Sequence, residues 1–396
     1  MKKQPRSPGI VILGKELMTA MTATDTATDA VTGSETTPRN DSTPPTDSAQ
    51  DPGAAVVAVV ELGPQWPTLD PFLFCAHHDD AYPEGDGSLA PVADLNDRDM
   101  GQDFSNRDGF SMYHGRNVPG FPSHPHRGFE TVTFVRKGLI DHADSLGAAA
   151  RFGRGDVQWL TAGAGIQHSE MFPLVNTESD NHLELFQIWL NLPASDKFVD
   201  PYFTMLWDEQ IPRRSTINDN GRVVEVTVIA GELDGITPLA PPPNSWAAGS
   251  DSDVAIWHYV LEPGAAVEVP PARSGVAANR VLYMFEGDTA SVDGIAIGND
   301  HAVQLRAEMQ VRIEAGSART EMLLLQGVPI GEPVAKYGPF VMNTEAEIRE
   351  TFEHYRQTEF GGWPWASSDP THGSEPKRFA QHVDGRRESP EDSRSD

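Results

Sequence analysis

The chain has 396 residues, 58 of them acidic and 30 basic, for a formal net charge of −28 at pH 7. That balance excludes a nucleic-acid binder, which needs a basic footprint, and no apolar run nears the roughly 18 residues of a membrane span. Cys75 is the only cysteine, which excludes an intrachain disulfide and a cysteine metal cluster and leaves a buried bystander as its expected role.

The length allows two domains with sizeable cores. Met1-Lys2-Lys3 is basic, but the apolar run Ile10-Val11-Ile12-Leu13 is too short for a signal-peptide core. The cytoplasm is the expected location and a monomer the expected state. Residues 1–54 and 361–396 each hold five basic and seven acidic side chains, so the middle carries −24. That charge favours solubility and says little about fold.

In chain order, residues 19–53 are Thr, Asp, Ser, Ala and Pro with almost no large apolar side chain. They cannot bury enough surface to offset ordering entropy, so 1–54 reads as a disordered tail. Met18 and Met21 are alternative start codons that the sequence leaves open. Order begins at Ala55-Val56-Val57-Ala58-Val59-Val60. A long Asp- and Gly-rich stretch, 79–123, reads mostly as loop and carries Met112-Tyr113-His114-Gly115 near the expected site. His77-His78-Asp79-Asp80 cannot converge, because neighbours on an extended strand point to opposite faces; a rim or surface loop is expected there. Short strands follow at 129–135, 157–161 and 183–191, with Arg154-Gly155-Asp156 as the turn before the second of these. A first domain over 55–210 and a second over 211–360 are expected.

The second half repeats the strand pattern at 222–230, 254–260, 281–285 and 321–325. Its segment Val269-Pro270-Pro271-Ala272 offers no ligating side chain, so no metal is expected there. His258 and His301 stand alone and read as ordinary core or surface residues. Thr344 and Glu347 form a capping-box pattern opening a helix near 344–358. The remainder, 361–396, is a polar tail expected to be disordered, with Trp363 and Trp365 able to tack its start to the body.

Two segments carry the functional signal: His124-Pro125-His126-Arg127-Gly128-Phe129-Glu130 and Gly165-Ile166-Gln167-His168-Ser169-Glu170. In a strand, residues i and i+2 share a face. His124 with His126, and His168 with Glu170, therefore each point one way. Facing strands would gather three imidazoles and a carboxylate, a set that suits iron, manganese, nickel, copper or zinc. The offset of 42 residues from His126 to His168 leaves room for the strands of a small barrel.

These segments, His-Pro-His-Arg-Gly-Phe-Glu-Thr-Val-Thr (124–133) and Gly-Asp-Val-Gln-Trp-Leu-Thr-Ala-Gly-Ala-Gly-Ile-Gln-His-Ser-Glu (155–170), resemble the signature of the pirin family within the cupin superfamily. Leu183 to Pro193, Leu69-Asp70-Pro71-Phe72-Leu73 and Gly338-Pro339-Phe340-Val341-Met342-Asn343 resemble further family landmarks, so the likeness spans roughly 56–360. It implies an all-β bicupin: two tandem β-barrels with a C-terminal helix and disordered tails. It also implies one metal, usually iron(II), held in the first barrel by His124, His126, His168 and Glu170.

Four ligands leave about two octahedral positions open, as a catalytic metal requires. The resemblance implies oxygen-dependent cleavage of flavonols such as quercetin, with dioxygen and a small aromatic enol as partners. Glu130 shares parity with His124 and His126 and faces inward if the strand is unbroken. It then stands behind the ligands or acts as the base, with Glu170 as ligand, and either Glu130 or Glu170 is expected to accept the enol proton; a buried salt bridge from Glu130 to Arg127 is the alternative. Gln158, Trp159, His114 and Gln187 are pocket candidates for which ordinary packing is the favoured reading. Two other functional classes stay open: a non-enzymatic metalloprotein that binds a protein partner, and an isomerase or lyase independent of oxygen.

Overall fold

The computed structural model describes residues 54–218 and 221–390. The expected disorder of 1–53, the alternative starts Met18 and Met21, and residues 391–396 fall outside the described residues. The strands of the first half are β1 (Val56–Glu61), β2 (Phe72–Tyr82), β3 (Gly120–His126), β4 (Phe129–Lys137), β5 (Leu139–Asp144), β6 (Ala149–Gly153), β7 (Val157–Thr161), β8 (Ile166–Met171), β9 (Asn181–Asn191) and β10 (Tyr202–Leu206). Those of the second half are β11 (Arg213–Ile217), β12 (Val223–Ala230), β13 (Ala255–Leu261), β14 (Ala266–Val269), β15 (Asn279–Glu286), β16 (Thr289–Val292), β17 (Ile295–Gly298), β18 (His301–Arg306), β19 (Val311–Ala315) and β20 (Thr320–Gly327). A hairpin of β21 (Ala335–Tyr337) and β22 (Phe340–Met342), the helix α1 (Glu345–Thr358), and the short strands β23 (Phe379–Gln381) and β24 (Arg387–Glu388) complete the described chain.

The fold is the all-β bicupin. In the first barrel the sheet β10-β7-β4-β9-β2 faces β6-β5-β8-β3; in the second, β18-β15-β20-β13-β12-β11 faces β14-β19-β16-β17. The capping box is present: Glu347 N–H donates to Thr344 Oγ1 at 3.2 Å and Thr344 N–H to the Glu347 carboxylate at 2.8 Å. No helix among the described residues is long and apolar enough to cross a membrane.

Both ends of the described chain cross over. β1 pairs with β18, Val59 opposite Val303, and so completes the second barrel, not the first. The first expected domain opens with this strand, while its ladder lies in the second barrel's sheet; local pattern marks a strand but not its distant partner. At the other end, β23 adds to the edge of β6 and extends the first barrel's sheet. Within the polar tail, residues 361–390 lie against the first barrel. They are held by main-chain hydrogen bonds and a few aromatic contacts, including the expected one from Trp365, which no apolar periodicity announces.

β4 shows how the barrels pack. It is buried on both faces from Phe129 to Val135. Val132 and Phe134 lie with Trp159, Phe186 and Ile188 in a core shared with Ile256, Tyr283, Phe285 and Leu323 of the second barrel. Val135 faces the first barrel's interior with Leu160, Phe172 and Leu185. Successive β4 side chains therefore alternate between the barrel lumen and the joint. His77 also meets the joint: β2 runs through His77-His78-Asp79-Asp80, so the tetrad is strand rather than rim loop. The two histidines diverge as alternation requires. His77 lies 3.1 Å from Glu184 and stacks on Phe186, whereas His78 Nδ1 meets the Tyr113 hydroxyl at 2.8 Å.

Candidate metal centre

His124 and His126 stand on β3, and His168 and Glu170 on β8. The two strands are neighbours, not opposing walls: β3 pairs with β8 and sets His124 directly opposite His168. The three rings lie 4.5–4.9 Å apart, centroid to centroid. One ring nitrogen from each lies within 4.8 Å of the others. Glu170 Oε2 is 3.7 Å from His168 Nε2. All four side chains are buried.

The local backbone fixes this arrangement. His124 Nδ1 lies 2.9 Å from the Pro122 carbonyl and His126 Nδ1 3.4 Å from that of Pro339. A carbonyl only accepts, so each Nδ1 carries the proton and each Nε2 keeps a free lone pair. The second half thus contributes to the site through Pro339. Just before β8, Gly165 has φ +126°, and a Cβ there would come within 2.7 Å of the Phe360 ring after α1. Any side chain at 165 would push that ring out or displace β8.

The donor set fits a divalent cation. Burial holds the His124 imidazole down at about 4 and those of His126 and His168 well below the usual range. All three are neutral lone-pair donors at neutral pH. Burial pushes the Glu170 carboxyl up to about 7. Both ring nitrogens of His168 are buried without a hydrogen-bond partner, which is costly in an apolar interior. A metal ion would satisfy the imidazole and offset the carboxylate charge together.

Glu130 does not join them. Between His126 and β4 the chain turns at Gly128, φ +83°, where a Cβ would meet the Val341 carbonyl at 2.0 Å. The strand is broken there, and parity is not carried across the turn. Glu130 lies on the joint face of β4 with Val132 and Phe134, opposite to Thr133. Its carboxylate accepts from the Thr161 hydroxyl at 2.6 Å and from Ser245 of the second half at 2.5 Å. Nor does it pair with Arg127, whose guanidinium reaches Ala164 O, Thr351 and His354.

Burial pushes Glu130 up to about 7. A carboxyl raised in the folded state binds a proton more tightly there than unfolded, so its contribution weakens stability as pH rises from about 4.5 to about 7. Glu130→Gln should therefore keep its metal and lose that slope. Denaturant unfolding at pH 5 and 8, with metal analysis, checks both; a metal-free Glu130→Gln protein would return Glu130 to the centre.

Sequence reading missed His142 and Asp144 on β5, although they obey the same i, i+2 rule. In register, His142 faces Glu170 and Asp144 faces His168. The His142 ring is fully buried, 5.5 Å from that of His168, and its Nε2 lies 3.3 Å from Asp144. Thr133 is the other addition, its hydroxyl 3.2 Å from Glu170 and 2.8 Å from Gln187 Oε1. Of the pocket candidates, Gln187 reaches the centre. Trp159 belongs to the joint, Gln158 stands opposite Thr133, and His114 is bound to the Gly101 carbonyl.

The second barrel has the same strand pair without donors. β14 and β19 set Val267 opposite Ile313 and Val269 opposite Val311, all buried. Pro270 and Pro271 lie just beyond this pair rather than in it.

The family model for pirin matches residues 56–190, and that for the pirin C-terminal cupin domain matches 256–361. The chain belongs to the pirin family. It is 38% identical to Pirin-1 of Arabidopsis thaliana over 245 residues, covering 61% of this chain and 78% of that one. It is 36% identical over 241 residues to a Pseudomonas aeruginosa protein provisionally named quercetin 2,3-dioxygenase, covering 61% and 79%. Its fold is similar to that of the crystal structure of quercetin 2,3-dioxygenase from Acinetobacter baumannii, with TM-score 0.61, 24% identity, and 78% and 98% of the two chains covered.

Proposed function

We propose that this pirin holds one divalent metal, iron(II) in its working form, on His124, His126, His168 and Glu170, and cleaves flavonols or related aromatic enols with dioxygen. The observation that carries this is the convergence of three neutral imidazoles and one carboxylate inside a barrel. When bound, the metal supplies open positions and Lewis acidity, and as iron(II) also electrons for dioxygen. Of the two carboxylates expected to accept the enol proton, Glu170 keeps that role, because it stands beside the ligand rings while Glu130 faces the joint. Thr133 and Gln187 hold that carboxylate in place. Trp189, 5.6 Å from His126, and Phe121, 6.3 Å from His124, offer flat apolar surface to an aromatic ring. The cytoplasm and a monomer stay part of this reading.

The test is oxygen uptake by protein purified without air, loaded with iron(II), and given a panel of quercetin-like flavonols. One dioxygen consumed and one carbon monoxide released per flavonol is the expected result. A metal-replete protein that consumes no oxygen with any flavonol would favour the partner-binding reading. Turnover without oxygen would favour an isomerase or lyase.

A further inference from the structure

Residues 362–390 lie beyond both matched family regions, yet they are woven into the sheet that carries the candidate ligands. They start at one edge of it, where Ser123 N–H, next to His124, donates to the Ser368 carbonyl at 2.6 Å. They then grip β5. The Trp365 indole N–H donates to the Asp144 carbonyl at 2.7 Å. His372 N–H donates to the Asp141 carboxylate at 2.9 Å, and its ring Nε2 to the His142 carbonyl at 2.8 Å. Arg151, fully buried and bidentate to Asp141 at 2.6 and 2.7 Å, also donates to the Gly373 carbonyl at 2.7 Å and to that of Glu375. The strap reaches the far edge as β23, Phe379 opposite Arg151, and closes with β24 paired outside it.

It also reaches the interior. His382 stacks on Phe203 at 4.6 Å, and Phe203 lies 5.4 Å from His142. The strap therefore holds β5 by its carbonyls and by the ring behind His142. β5 is the strand whose His142 and Asp144 stand opposite Glu170 and His168.

We propose that this C-terminal strap positions the metal-binding sheet, with Trp365 and His372 as positioning residues that hold β5 in register behind His168 and Glu170. The proposal rests on the metal reading above. Without the two side-chain donors, β5 gains freedom to slide against β8. Groups that orient ligands from behind commonly change metal affinity 10- to 100-fold when altered.

Cobalt(II) is the probe, because its visible absorption reports ligand geometry, and the full-length protein is used throughout. Trp365→Phe/His372→Leu removes both side-chain donors at nearly constant bulk. The expected result is about 10-fold weaker cobalt(II) binding, an altered visible spectrum, and faster amide exchange at 141–144 and 168–170 with unchanged far-UV circular dichroism. Trp365→Phe/His372→Gln, which restores one donor near the place of Nε2, should recover most of the affinity. Leu282→Ala, an interior cavity in the second barrel, controls for plain loss of stability and should leave the spectrum alone. If wild type binds cobalt(II) and the double variant matches it in affinity and spectrum, the strap is a passive tail and the proposal is wrong. If wild type binds no cobalt(II), the metal reading and the strap's role fall together. A variant that loses circular dichroism makes the strap a folding element and also overturns a positioning role.

Discussion

His168→Ala is expected to bind no stoichiometric metal while both barrels stay folded. Structural zinc sites with four ligands are worth roughly 10–16 kcal/mol, so one ligand is worth about 2.5–4 kcal/mol. At about 1.4 kcal/mol per decade, the affinity falls roughly 100- to 1,000-fold. The fold survives because the His168 side chain makes no hydrogen bond, while its backbone ladder to β3 and β5 is untouched. Removing a buried, unpartnered imidazole relieves a desolvated polar group, which offsets part of the cavity left behind. The same site predicts a pH dependence with a definite sign. The imidazoles are already neutral near pH 7, so the proton that competes with the metal is the one on Glu170, held up to about 7 by burial. Affinity should be flat above that pH and fall about tenfold per unit below it, one proton being released per metal bound. Isothermal titration from pH 8 to pH 6 and metal analysis of the dialysed variant are the measurements. Full metal content in His168→Ala would sink the site.

The candidate ligands were legible because their geometry is local. Two-residue spacing on a strand fixes a shared face whatever the rest of the chain does, so His124, His126, His168 and Glu170 were readable before their strands were known to pair. The same rule applied to Asp141-His142-Ala143-Asp144 puts His142 and Asp144 on one face. Glu130 shows the rule's limit: it holds only while the strand is continuous, and Gly128 was the signal that it is not. The second barrel's loss of donors was readable too, though the apolar substitutes are Val267, Val269, Ile313 and Val311 rather than the prolines after them. What local pattern could not carry were the pairings of distant segments. Nothing in Val56–Glu61 names β18 as its partner, and nothing in Phe379–Gln381 names β6. Those choices are made by which sheet edge remains open once both barrels have closed.

Arg136→Met is expected to cost about 3–5 kcal/mol of stability at pH 7, the range for breaking a buried ion pair by removing one partner. Arg136, at the end of β4, bridges the barrels by pairing with Glu184 on β9 and Glu321 on β20. The carboxylate side chains are 3% and 0% exposed, so solvent cannot replace the guanidinium. His77 flanks Glu184 at 3.1 Å and His258 flanks Glu321 at 2.7 Å, while Lys137 and Arg319 reach the same two carboxylates from more exposed positions. Hydrogen bonds from the histidines, together with the arginine charge, overcome burial and hold Glu184 well below the usual carboxylate range and Glu321 at about 2. A carboxylate depressed in the folded state stabilises above its unfolded value near 4.5, and that stability is lost as pH falls through the folded value. Removing Arg136 raises both carboxyls, so the variant forfeits this stabilisation where it is largest. The gap between wild type and variant should thus be full at pH 7 and narrow below about pH 4.5. Arg136→Lys should recover only part of it, because an ammonium lacks the fork that serves two carboxylates at once. Replacing Arg136, Glu184 and Glu321 together with apolar residues should be far milder than Arg136→Met alone, since the cations left without a partner, Lys137 and Arg319, are half-exposed. Urea unfolding at pH 7 and pH 4 reads all of these. A loss below about 1 kcal/mol at pH 7, the range of an exposed pair, would mean that water enters the joint and that the two barrels are held together by their aromatic core alone.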